Sequence, residues 1–237
     1  MRISLPIPAP SLRRLTLVAL LTAAPLLTLQ VQGQASSGPT TPVNDASALK
    51  PPPGARVAII EFADMECPVC GSTNPLVRQA ADQYHIPWIR YDFPLPYHSW
   101  SFEAAVYARW FDGKSKKLGD AFRDDVFANQ DAIDEAAQTS PESPSGPTPA
   151  AQAAIRAFAQ KFAQEHNIAF PFVVDPQKKL AAEGQADLDL GKRIGVNHTP
   201  TIWIVSRAKS GPSYVEVVDR GQLYSIIDQA LASTRGE

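Results

Sequence analysis

Two cysteines, Cys67 and Cys70, are the only ones in the 237 residues, and they stand directly after a short apolar run. That run, Val57-Ala58-Ile59-Ile60-Glu61-Phe62, reads as a buried strand. After Cys70, Leu76, Ala80 and Tyr84 recur at every fourth position with Val77 and Ala81 beside them, which is the stripe of a helix. Ile86 to Phe93 reads as a second strand. Strand, helix and strand in so short a span make a βαβ unit, with a parallel strand pair and a right-handed crossover. The cysteine pair therefore opens the crossover helix. So low a cysteine count excludes a disulfide-stapled mini-protein and leaves Cys67–Cys70 as the one intrachain disulfide the chain can form.

From His98 to Leu190 the pattern is helical. Ser99 or Ser101 can cap a helix that carries Ala105, Ala108 and Phe111. Leu118, Phe122 and Val126 make a second stripe, and Ile155, Phe158 and Phe162 a third, after a proline-rich loop over 139–149. Leu180 to Ile194 predicts a fourth helix. The pattern then returns to β. Thr201–Val205 and Tyr214–Val218 are strands joined through Gly211-Pro212, a hairpin, and Leu223, Ile226, Ile227, Ala230 and Leu231 mark a last amphipathic helix. The order is βαβ, a helical block, then ββα, an α/β class. No internal repeat is present.

The N-terminus reads differently. Residues 1–35 hold Arg2, Arg13 and Arg14 and no acid, an apolar run from Leu15 to Leu29, and small residues at Gly33 and Ala35. This is the layout of a secretory signal peptide. The run contains Pro25 and falls short of the ~20 apolar residues of a spanning helix, although an uncleaved anchor through 15–29 is the alternative. Residues 36–54, rich in Ser, Thr and Pro and ending in Pro51-Pro52-Pro53-Gly54, read as a flexible linker with no core to bury. The expected divisions are a signal peptide at 1–35, a linker at 36–54, a first half-fold at 55–97, a helical insertion at 98–194 and a second half-fold at 195–235. A net charge of −2 argues against nucleic acid as a partner.

Export places Cys67-Pro68-Val69-Cys70 in an oxidising compartment. A thiol at the first turn of a helix faces unpaired N–H groups and the positive end of the helix dipole, so its thiolate is favoured. Pro68 suits that turn, where its missing N–H costs little. Cys67 is then the exposed, attacking sulfur. Cys70, one turn further in, resolves the mixed disulfide. A purely structural disulfide closing so small a loop contributes little stability. A zinc site needs two more ligands, and His85 and His98 lack the spacing of a zinc pair. Gly71 stands where haem attachment requires histidine. No metal or cofactor is expected.

Two other features complete the candidate site. Glu61 lies inside the apolar strand, where burial raises a carboxyl pKa and allows proton exchange with Cys70; a strand-end glutamate reaching solvent is the alternative. Pro200, in His198-Thr199-Pro200-Thr201, enters the third strand. From the residues alone its peptide bond is of either isomer, with trans the commoner, since cis makes up only ~5–6% of X-Pro bonds. His98 and His198 read as packing or capping residues, with tuning of the cysteine site as the alternative for either.

The run Glu61-Phe62-Ala63-Asp64-Met65-Glu66-Cys67-Pro68-Val69-Cys70, with Tyr91-Asp92-Phe93-Pro94-Leu95 and His98, and with Gly195-Val196-Asn197-His198-Thr199-Pro200-Thr201 far downstream, resembles the DsbA-like branch of the thioredoxin superfamily. The resemblance covers roughly 55–235. It implies a thioredoxin fold with a helical domain inserted, and a cis peptide at Thr199–Pro200 beside the cysteines. It also implies a substrate-binding loop at Thr199 and Pro200 and an acid at Glu61 that serves the cysteines. The expected function is that of an exported protein disulfide oxidoreductase, with the oxidase direction favoured because no dimerisation domain precedes the fold. Such a protein is a monomer in the periplasm or a comparable extracytoplasmic space. Its partners are cysteine-containing exported proteins and a membrane redox partner. Val69 replaces the histidine of the principal oxidase, and Thr199 replaces its valine. These departures leave open a reductase or isomerase of the same fold, and a thioredoxin-like peptide-binding module without redox turnover is the reading from another class.

Overall fold

The first strand, β1 (Val57–Ala63), is buried at every position and forms the centre of the sheet. Its β-branched and aromatic residues feed both faces, which is why it lacks the polar alternation of a half-exposed strand. The computed structural model describes residues 40–138, 146–208 and 211–235. The chain continues through α1 (Pro68–Tyr84), β2 (Trp88–Asp92), α2 (Ser101–Asp112), α3 (Lys116–Ala128), α4 (Gln130–Ala137), α5 (Pro149–Glu165) and α6 (Lys179–Ile194). It ends with β3 (Thr201–Ser206), β4 (Tyr214–Glu216) and α7 (Leu223–Ser233). The strand order is β2-β1-β3-β4. β1 and β2 are parallel, and the other pairings are antiparallel. This is the βαβ–ββα arrangement expected from the sequence, with the helical block between its halves.

One face of the sheet packs Val57, Ile59, Ile202 and Ile204 against Val77 and Ala80 of α1 and Leu223 and Ile227 of α7. The other packs Ile60, Phe62 and Trp203 against Ile194 of α6. A third cluster fills the helical block around Trp100, Phe111, Phe122 and Phe162, and it takes in Met65, Cys67 and Cys70. The cysteines thus lie where the block meets the sheet.

Several expectations are corrected. Over its described part, 40–54, the segment read as a linker is docked: Leu49 is 3% exposed within the second sheet-face cluster, with Val43 and Ala48 packed beside it. A few well-placed apolar residues are enough to seat a segment whose composition looks like a tether. Neither Ser99 nor Ser101 caps α2; Trp100 is the N-cap residue and offers no side-chain bond. The block contains a helix, α4, that the sequence reading lacked, because its eight residues Gln130–Ala137 present only Ile133 and Ala137 as apolar core contacts. The flanking strands are shorter than expected, at Trp88–Asp92 and Tyr214–Glu216. The expected signal peptide and most of the loop at 139–149 lie outside the described residues. Among those residues, no helix is long and apolar enough to cross a membrane.

An ion cluster joins block and sheet. Arg123 of α3 donates through Nε and Nη2 to the two oxygens of Asp92, at the end of β2, at 3.1 and 2.9 Å. Its Nη2 also lies 3.0 Å from Asp112 Oδ2. Arg109 of α2 bridges Asp92 and Asp187 of α6 at 3.2 and 2.5 Å. Arg123 and Asp92 are both buried. Removing one partner strands the other charge in the interior, so Arg123→Ala is expected to cost about 3–5 kcal/mol in urea unfolding. The same truncation at exposed Lys116 should cost under about 1 kcal/mol. Equal effects would mean that the buried cluster holds nothing together.

Candidate active site

Cys67 is the N-cap of α1, with extended backbone (φ −76°, ψ 118°), and Pro68 follows at the first helical position. Pro68 lacks the N–H that would go unpaired there, and its ring fixes a φ already suited to the helix. Cys67 and Cys70 are both free thiols. The expectation of an exposed attacking sulfur is corrected in degree. Cys67 is 7% exposed and Cys70 0%, so Cys67 is the reachable one but is itself largely covered.

The cover comes from the other end of the chain. The Thr199–Pro200 peptide bond is cis. The carbonyl oxygen of Thr199 lies 3.6 Å from Cys67 Sγ, although the two residues are 132 positions apart in sequence. The Thr199 hydroxyl is buried and has no hydrogen-bond partner among the described residues. When Cys67 is a thiol it can donate weakly to the carbonyl. When it is a thiolate, the hydroxyl is the Thr199 group able to stabilise it.

The two sulfurs are driven apart in acidity. A hydrogen bond from Cys70 is the largest influence on Cys67; with Thr199 and the Cys70 backbone N–H it outweighs burial and the nearby Asp64 charge, and the Cys67 pKa falls to about 6. Burial does the opposite to Cys70, aided by its bond to Cys67 and by the charges of Cys67 and Glu61, and holds its pKa well above that of an ordinary thiol. At neutral pH, Cys67 is a nucleophile and Cys70 keeps its proton.

Glu61 is 1% exposed, which disposes of the strand-end reading. Trp88 Nε1 donates to its Oε2 at 2.9 Å. Burial raises its pKa to about 7 against the pull of Arg90 and the Trp88 bond. Arg90 is its register partner on β2. It lies 4.3 Å over the Trp88 ring and donates to Asp124 and to Asn74, each at 2.9 Å. The sequence reading missed both Trp88 and Arg90. A charged residue in a strand running parallel to one that holds a buried acid was the available signal.

Also missed was the turn that carries Cys67. Asp64 accepts from the backbone N–H of Glu66 at 2.8 Å and of Leu95 at 2.5 Å, and its Oδ2 lies 2.7 Å from His98 Nδ1. The Glu66 carboxylate accepts from Ser99 N–H and Oγ, Trp100 N–H and Ser101 N–H at 2.7–3.1 Å. It therefore caps α2 in place of the serines. Gln130 of α4 donates to the carbonyls of Met65 and Cys67 at 2.7 and 2.9 Å. Gly71 makes room for this, since a Cβ there would meet Gln130 Oε1 at 2.2 Å. His98, read as a packing residue, is the partner of Asp64. Burial opposes its charge, but Asp64, Glu66 and Cys67 together raise its pKa. His198 directly precedes Thr199 and is half exposed, with Nδ1 2.9 Å from Asn197 Oδ1.

The comparisons with known proteins bear on the fold. A thioredoxin family model matches residues 52–220. Among solved structures, α-DsbA1 of Wolbachia pipientis superposes with a TM-score of 0.57 at 17% identity, over 77% of this chain and 89% of that one. A periplasmic thioredoxin-like protein from Salmonella enterica serovar Typhimurium gives 0.53 at 20%, over 77% and 88%. DsbA2 of Pseudomonas aeruginosa gives 0.52 at 20%, over 79% and 95%. At these identities the likeness is one of fold. No curated protein sequence matches the chain.

Ionising Glu61 costs folding stability as pH rises from the ordinary carboxylate range through about 7, because the unfolded chain ionises first. Glu61→Gln removes that cost. The variant is therefore expected to be more stable than the parent at about pH 8 by up to roughly 3 kcal/mol, with the advantage gone at about pH 4. Unfolding measured at both pH values checks this. A pH-independent difference would mean that Glu61 does not titrate in the fold.

Proposed function

Because the chain belongs to the thioredoxin family, we propose that it is an exported thiol–disulfide oxidoreductase acting on cysteine-containing proteins through Cys67-Pro68-Val69-Cys70, in the oxidising direction. The observation that carries this reading is the opposed acidity of two sulfurs three positions apart, with the Thr199–Pro200 loop over the accessible one. In the oxidised protein, a substrate thiolate attacks Cys67 Sγ. The Cys67–Cys70 bond breaks, a mixed disulfide forms, and Cys70 leaves with the electron pair. Cys70 then takes up a proton, and Glu61, whose charge acts on Cys70 and whose pKa lies near neutrality, is the internal group suited to supply it. A second substrate thiolate attacks the substrate sulfur and Cys67 departs as a thiolate. The substrate gains a disulfide and the protein is left as the dithiol.

A low Cys67 pKa supports the oxidising direction, because it stabilises the reduced form and improves Cys67 as a leaving group. The cycle then needs an electron acceptor, proposed to be a membrane redox partner. The signal-like pattern of residues 1–35 supports an extracytoplasmic location. The opposite direction, reduction or isomerisation, is favoured by one observation: the Asp64 charge acts against the Cys67 thiolate, and Val69 offers no compensating charge.

Cys67→Ser is expected to abolish oxidation of a reduced, unfolded protein substrate. Cys70→Ser should accumulate mixed disulfides through Cys67, seen as adducts on non-reducing gels that dithiothreitol removes. Retained turnover in Cys67→Ser, or equal trapping by both variants, would contradict the assignment.

A further inference from the structure

The docked N-terminal segment reaches the edge of the candidate site. Thr41 donates through its N–H and its hydroxyl to the two carboxylate oxygens of Glu216 on β4, at 2.5 and 2.7 Å. Asn44 N–H donates to the Ile194 carbonyl at 2.7 Å. Gly195, at φ +117°, lies against the Pro42 carbonyl, and a Cβ there would come within 2.2 Å of that oxygen. The segment is thus clamped onto the chain that leads into Thr199–Pro200.

Thr40 and Thr41 form one wall of a cavity of about 360 Å³, and His198, Thr199, Pro200 and Arg220 line other parts of it. Thr199 is the residue whose carbonyl touches Cys67 Sγ. The cavity and the Cys67 sulfur thus share Thr199. Its volume is at the small end of ligand pockets, roughly 300–1,000 Å³, which suits a side chain better than a cofactor.

Arg220 is the one residue of the cavity lining that carries a full charge at neutral pH. Arg220 is exposed, and its side chain makes no hydrogen bond or ion pair among the described residues; its carbonyl accepts from Leu223 N–H. His198 is half exposed, with Nε2 3.8 Å from Glu216. Glu216, which accepts both Thr41 donors, and Asp219, which accepts from Gly221 N–H at 2.9 Å, keep their negative charges, but neither belongs to the cavity lining. We propose that this cavity, walled by the N-terminal segment, is a specificity subsite that receives an aspartate or glutamate side chain close in sequence to the substrate's reactive cysteine, with Arg220 as the counter-charge. The inference rests on the reading of this site as one that exchanges disulfides with peptides.

Two cysteine peptides, identical except for Asp or Lys beside the cysteine, test it. Wild-type protein should favour the Asp peptide in kcat/KM by roughly two- to fivefold, the scale of one solvent-accessible charge contact. Arg220→Glu should reverse the preference. The same charge change at Lys161, on α5 and exposed, should leave it in place. A wild-type ratio near one, or an equal shift from Lys161→Glu, would overturn the subsite. Binding of the same peptides with Ser in place of Cys separates the two readings. Preferential binding of the acidic peptide without any exchange would keep the subsite and overturn the oxidoreductase reading. Oxidation of dithiothreitol with no preference between peptides would do the reverse.

Discussion

The turn from Asp64 to Cys67 is held in place by groups that lie outside the strand–helix unit it belongs to. Asp64 and Glu66 offer carboxylate oxygens, and the segment from Leu95 to Ser101 supplies the donors. Gln130 completes the clamp from α4 by donating to two carbonyls of the turn. Buried carboxylates are costly unless their acceptors are filled: Glu66 is filled mainly by the N–H groups that the start of α2 leaves unpaired, and Asp64 by Leu95 N–H and His98. Each side therefore satisfies the other. The helical block is not an appendage to the sheet; it fixes where the Cys67 sulfur sits.

That placement is what separates the two thiols. Cys67 stands at the open end of α1, within reach of the Cys70 donors and of Thr199. Cys70 is one turn inside and fully buried, and burial, with its bond to Cys67 and the charges of Cys67 and Glu61, keeps its proton on. Glu61, behind it on β1, is also buried, and its partial neutralisation by Arg90 and Trp88 leaves its pKa near 7 rather than far above. A dithiol with one acidic and one reluctant member, backed by a proton source near neutrality, has the asymmetry that the proposed exchange requires.

Much of this was legible in the sequence because it is carried by local pattern. The apolar β1 run, the helix stripe after Cys70, the βαβ–ββα order and the candidate residues Cys67, Cys70, Glu61, Thr199 and Pro200 all follow from spacing, residue type or resemblance, and the fold brings Thr199 against Cys67. What was not legible depends on contacts between distant segments. Glu66 as the cap of α2 is invisible to a reading that looks for caps among adjacent residues such as Ser99 and Ser101. Residues 40–54 look like a tether by composition, yet Leu49 and Thr41 each find a specific seat. Helix α4 is short and half polar, and its first residue, Gln130, matters for the carbonyls it meets rather than for any stripe. The cover on Cys67 is likewise tertiary, supplied by a loop from beyond the helical block.

The central claim is that these converging segments make Cys67 a thiolate at neutral pH while Cys70 stays protonated. The most direct test is the rate of iodoacetamide alkylation of the fully reduced protein across the pH range, with the modified residue located by peptide mass. The account predicts alkylation at Cys67 with a half-maximal rate near pH 6, and Cys70 left unmodified. A midpoint near that of a free cysteine, about 8.5, or comparable modification of both residues, would contradict it.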